Sequence, residues 1–180
     1  RKRLGCRPPR TADRDCAPTA TFGHAPAPRL GHERSMNGVG VSLDLGAAAL
    51  TLLPERALWW AAERTLIVSD LHLGKAERMA RRSGALVPPY ETAETLARLS
   101  VLTGRFAPAH VICLGDSFDD LRAAEALDEP TRDDLATLMA GRRWTWVLGN
   151  HDPGPLDMGG TCAGEIRLHG IALRHAAEPG

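Results

Sequence analysis

The apolar positions of this chain follow two different periods. Leu50-Thr-Leu-Leu53 and Ala57-Leu-Trp-Trp60 are short strand-like runs, separated by the turn residues Pro54-Glu55-Arg56. The runs Thr65-Leu-Ile-Val68, His110-Val-Ile-Cys-Leu114 and Trp144-Thr-Trp-Val-Leu148 are nearly continuous, as in strands buried on both faces. Between them the period lengthens. Residues 75–83 are polar and basic and predict a short helix. Residues 90–103 carry Leu96, Leu99 and Leu102 at helical spacing, behind Pro88-Pro89. A further helix is predicted over 131–140, with Thr131 as its N-cap, Asp133 and Asp134 in its first turn, and Leu135, Leu138 and Met139 as its buried stripe. Residues 165–169 and 171–174 flank Gly170 as a hairpin. Strands alternating with helices predict an α/β fold.

The first 36 residues stand apart. They mix Arg, Pro, Ala, Gly and Thr with almost no periodicity, a composition that cannot bury enough surface to offset chain entropy. Residues 1–36 are therefore expected to form a disordered basic leader, and residues 37–180 the folded domain. Met36 is a plausible native start. The net charge of zero conceals this division. The leader holds eight basic against three acidic groups, or +5, and the remainder fourteen against nineteen, or −5. An acidic body argues against nucleic-acid binding by bulk charge, but it suits a site that gathers carboxylates around cations. Cys6, Cys16, Cys113 and Cys162 form no metal-type pair and are expected to be non-catalytic, in a reducing cytoplasm. No apolar run reaches the ~20 residues of a membrane span.

Chemistry collects where three of the predicted strands end. The first runs into Asp70-Leu-His72, the second into Gly115-Asp116, and the third into Gly149-Asn150-His151-Asp152. Were the first strand to continue, Asp70 and His72, two residues apart, would point the same way and could meet on one cation. In open α/β sheets, sites gather at the carboxyl ends of strands.

In order, residue type and separation (46 residues from Asp70 to Asp116, then 34 to Asn150) these segments resemble the metallophosphoesterase, or calcineurin-like, superfamily. His72-Leu-Gly-Lys75, Leu114-Gly-Asp-Ser-Phe118, the Trp144 to Pro153 segment and Leu173-Arg-His175 resemble, more closely, bacterial ligase-associated DNA-damage-response phosphoesterases. The resemblance covers roughly Leu50 to His175. It implies a four-layer αββα sandwich with two facing sheets. It also implies two divalent metal ions, manganese first, with iron, zinc or magnesium as alternatives. Asp70 and His72 would bind one ion, Asp116 would bridge both, and Asn150 and His175 would bind the second. His151 would protonate the leaving oxygen. The substrate implied is a phosphodiester in nucleic acid, with a DNA ligase and a helicase-like protein as repair partners.

Two departures qualify the resemblance. Asp119 stands where these enzymes commonly carry His, and is expected to hydrogen-bond His151 and orient it. The family's closing Gly-His-x-His segment has no counterpart before Gly180, so a C-terminally truncated domain is expected. Arg81 and Arg82 follow the first ligands closely and are candidate substrate-phosphate contacts, or simply a solvated helix face. Trp144 and Trp146 should face the core, and His110 should be structural. Two alternatives share these residues. One is a phosphomonoesterase or nucleotide pyrophosphatase, and the other a non-catalytic scaffold on the same fold.

Overall fold

The computed structural model describes residues 40–84, 90–154 and 157–177. The basic leader and the prolines ahead of the second helix lie outside these residues. Among these residues, nine strands and four helices follow in the order β1 (Val41–Leu45), β2 (Ala48–Leu53), β3 (Ala57–Trp60), β4 (Thr65–Val68), α1 (Lys75–Ser83), α2 (Tyr90–Phe106), β5 (His110–Leu114), α3 (Leu121–Ala126), α4 (Glu129–Met139), β6 (Arg143–Val147), β7 (Thr161–Ala163), β8 (Ile166–Leu168) and β9 (Ile171–Leu173).

Strands β1 to β7 form one sheet in sequence order. The steps from β1 to β4 are antiparallel, and those from β4 to β7 are parallel. Each parallel strand sends alternate side chains into two cores. Leu66 and Val68, Val111 and Cys113, and Trp144 and Trp146 meet Leu96, Leu99 and Leu102 of α2 and Leu135 and Leu138 of α4. Ile67, Ile112 and Val147 turn to the opposite face, where Ile166, Leu168, Ile171 and Leu173 of the small β8–β9 sheet cover them. The architecture is thus a mixed central sheet with helices on one face and a second sheet facing the other. Both tryptophans pack among the helices, as their alternation predicted.

The β8–β9 hairpin turns through His169 and Gly170, both at positive φ (49° and 80°), the pair of left-handed residues that a two-residue hairpin needs. His110 is buried, with its Nε2 2.8 Å from Thr145 Oγ1 across the β5–β6 pair. Cys113 lies wholly inside the core, where burial pushes its thiol well above the usual range. That leaves little thiolate.

The last predicted helix begins elsewhere than expected. Asp128, not Thr131, is the N-cap of α4, and its carboxylate accepts from Thr131 N at 3.0 Å. Pro130 fits inside the first turn because its missing N–H is one that the helix start leaves unpaired anyway. Asp133 and Asp134 therefore fall beyond that turn. Helix α3 was not legible as a helix, being six residues long and held by the Asp120 cap on Ala123 N. Strand β7, three residues between glycines, was not legible either. Among the described residues, no helix is long and apolar enough to cross a membrane.

Candidate metal centre

Four segments converge at one edge of the sheet: those following β4, β5, β6 and β9. The first two run side by side as a continued parallel ladder. Asp70 N donates to Gly115 O, His72 N to Asp116 O, Leu73 N to Ser117 O, and Asp119 N returns to Leu73 O, at 2.9–3.2 Å. β4 itself stops at Val68. Asp70 and His72 therefore do not alternate as strand residues, and each sits in the left-handed region, with φ of 53° and 46°. Asp116 does the same at 48°. Such conformations cost about 1–3 kcal/mol each and persist only where surrounding bonds enforce them. Here the ladder enforces them.

Asp70 and His72, expected to share one ion, fall into different groups of donors. Asp70 gathers with Asp116 and His175, while His72 gathers with Asp119 and His151, the ligand atoms of each group lying within 4.8 Å of one another. A twist of the chain between the two residues replaces the strand's two-residue repeat.

Asp152 joins the β5 and β6 loops. Its Oδ1 accepts from Asp116 N and Gly149 N, both at 3.0 Å, and its Oδ2 from Ser117 N at 2.8 Å and Phe118 N at 3.1 Å. Burial raises the Asp152 carboxyl above the usual carboxylate range, although all four N–H donors pull it down. His151 N adds a bond to Asp116 Oδ1 at 2.9 Å. Gly149 has to be glycine, because a Cβ there would fall on Asp116. Asp152 belonged to the quoted motif but had no role in the sequence reading. Its signal was position alone, since three of its four partners lie 34 to 36 residues back in the chain.

The imidazoles are anchored through Nδ1. His175 Nδ1 donates to Leu114 O at 2.9 Å, and His151 Nδ1 to Asp119 O at 2.9 Å. A donating Nδ1 leaves Nε2 as the lone-pair nitrogen of the neutral ring. His175 Nε2 then lies 3.0 Å from Asn150 Oδ1 and 3.4 Å from Asp116 Oδ2. Three acceptors facing one another repel unless a positive charge sits among them, either a proton on the ring or a cation. Asp70, Asp116, Asn150 and His175 thus supply oxygen and imidazole donors without thiolate, which fits a hard or borderline divalent ion.

Asp119 meets His151 differently from the expectation. Its backbone carbonyl, not its carboxylate, holds the ring. The carboxylate, on a side chain 3% exposed, pairs with Arg78 Nε and lies 3.2 Å from His72 Nδ1. The His72 and His151 rings meet edge to face with centroids 4.9 Å apart. Arg81 and Arg82, at the end of α1, line a groove of about 520 Å³ together with Arg122, Asn150 and His151. Arg122, on the unforeseen helix α3, escaped the sequence reading.

The family model for calcineurin-like phosphoesterases matches residues 63–174, spanning β4 to β9 and all three motif loops. Among solved structures the chain is similar to the crystal structure of Pseudomonas putida nuclease MPE, at 28% identity and a TM-score of 0.54. That match covers 68% of this chain and 58% of the other. No curated protein matches the chain.

Proposed function

The chain belongs to the calcineurin-like phosphoesterase family, a family of hydrolases, and from that premise we propose that it hydrolyses a phosphodiester bond in nucleic acid, as in DNA repair. The observation that carries this reading is the placing of Asp116 Oδ2 and Asn150 Oδ1 within 3.4 Å of His175 Nε2, beside the fixed ring of His151. The likeness to a nuclease favours a diester over a monoester.

Asp70, Asp116, Asn150 and His175 would hold one divalent cation, and His72 is the remaining donor for a second. Manganese suits this donor set, as do iron, zinc and magnesium. Such ions, when bound, neutralise phosphate charge and lower the pKa of a water molecule. The protein's own groups do the rest. With its Nδ1–H held on the Asp119 carbonyl, protonated His151 presents Nε2–H toward the groove and can pass that proton to the leaving oxygen. The neutral ring left behind is the tautomer that the same carbonyl already stabilises. Arg78 and His72 share the Asp119 carboxylate, which keeps the segment that supplies this carbonyl in place.

The test uses the chain purified with manganese against bis(p-nitrophenyl) phosphate and p-nitrophenyl phosphate. The expected result is diester turnover that falls by about a hundredfold or more in Asp116→Ala, the scale of losing one essential electrostatic group. Monoester turnover alone would replace the reading with a phosphatase. Turnover of neither, at full metal loading, would leave a scaffold.

A further inference from the structure

Two grooves flank Asn150, and they differ in charge. On one side, about 550 Å³ of space is bordered by His175, Gly164, Glu165 and Arg174. There Glu165 engages Arg174, so the guanidinium is offset where it stands. On the other side lies the groove of about 520 Å³ shared by His151, Arg81, Arg82 and Arg122. Arg81 holds Asp120 at 2.6 Å. No ion pair is formed by Arg82 or Arg122 among the described residues, so the three arginines and Asp120 leave a balance of +2 in an otherwise acidic domain. These cations come from two helices, α1 and α3, brought together across the sheet edge. A solvated helix face would not need the second helix.

Resting on the phosphodiesterase reading, we infer that the Arg82–Arg122 groove is a subsite for further backbone phosphates of a polynucleotide strand. Guanidinium groups favour phosphate because their forked donors match its oxygens. The groove opens on the side of His151, the proposed donor to the leaving oxygen. The strand it holds is therefore the leaving-group portion, continuing past the scissile phosphate over α1 and α3. A phosphomonoester or a small diester carries no second backbone phosphate with which to occupy the groove. The groove thus selects for polyanion length, while the metal centre does the chemistry.

The test is equilibrium binding of a fluorescein-labelled single-stranded oligothymidylate to the full chain, with EDTA present so that nothing is cleaved, across a range of salt concentrations. Each phosphate contact contributes about 0.7 to the slope of log affinity against log salt for a single strand. Arg82→Ala with Arg122→Ala should flatten that slope by about 1.4. Replacing both with Lys keeps the charges and should restore most of it. With manganese, the double Ala variant should lose at least about tenfold more kcat/KM on the oligonucleotide than on bis(p-nitrophenyl) phosphate, the scale of about 1.4 kcal/mol. An unchanged slope, in a chain that does turn over the small diester, would overturn the subsite and leave the catalytic reading standing. Failure of the unmodified chain to turn over any diester would overturn both.

Discussion

One sheet carries two halves that behave differently. In the antiparallel half, β1 to β4, successive strands enter and leave at opposite edges, so their connections divide between two ends of the molecule. Two non-glycine residues there take positive φ, Arg56 (62°) and Arg64 (45°), and both belong to tight reversals. In the parallel half, β4 to β7, every strand ends at the same edge, and helices carry the chain back from β4 to β5 and from β5 to β6. Asp70, His72 and Asp116 take the same left-handed conformation at that edge, but there it aims ligand-type side chains into a shared space. Asp and His are among the residues that tolerate this region best. Apart from Ala107 (43°), which closes α2, strain of one kind falls at reversals in one half and at ligand-type side chains in the other. What separates the two uses is the direction of the strands.

The strongest way to break this contrast is to uncouple the loops of the parallel half. Asp152→Asn puts an amide where a carboxylate accepts four N–H donors. We expect it to cost about 2–3 kcal/mol in urea unfolding, because buried donors are orphaned. Diester turnover should drop roughly 10- to 100-fold as the loops of Asp116 and Asn150 lose their register. Unaltered turnover would show that the loops hold their positions without it.

An effect confined to stability, without a change in turnover, is expected at the opposite end of the same strands. His110 begins β5, at the opposite end of that strand from the candidate metal centre. Burial, with the neighbouring Arg143 guanidinium adding to it, pulls its imidazole down from 6.5 to about 4. The unfolded chain therefore takes up this proton before the folded one does. The stabilising contribution is full above pH 6.5 and is lost as pH falls toward about 4, up to about 3 kcal/mol in all. His110→Gln can still bond Thr145 but does not titrate. Its urea midpoint should fall less steeply than that of the unmodified chain between pH 7 and pH 5, which unfolding curves at the two pH values would decide. Parallel slopes would refute the assignment.

The smallest effect belongs to the antiparallel half. Leu52 on β2 is 46% exposed, and Leu52→Ser should change stability by no more than about 0.5 kcal/mol. Diester turnover should not change. A large loss of turnover would show that the two halves are coupled more tightly than their topology suggests.

The amino-acid sequence by itself determined the parts of this protein that depend on neighbours along the chain. The continuous apolar runs of β4, β5 and β6, the leucine stripe of α2, the hairpin at Gly170 and the polar strand ends at Asp70, Asp116 and Asn150 were all readable, because periodicity and turn chemistry are local. Only the tertiary structure decided how the donors divide. Asp70 joins Asp116 and His175, while His72 joins Asp119 and His151, because beyond Val68 the side-chain directions follow backbone twists imposed by hydrogen bonds from the β5 loop. The same holds for Asp119, whose carbonyl rather than carboxylate meets His151, and for Arg122, which reaches the groove on a helix too short to leave a period. It holds again for Asp152, whose importance lies in four N–H groups, three of them 34 to 36 residues away. A residue's type shows what chemistry it can do, but its direction in a loop is set by partners that the chain reaches only after folding.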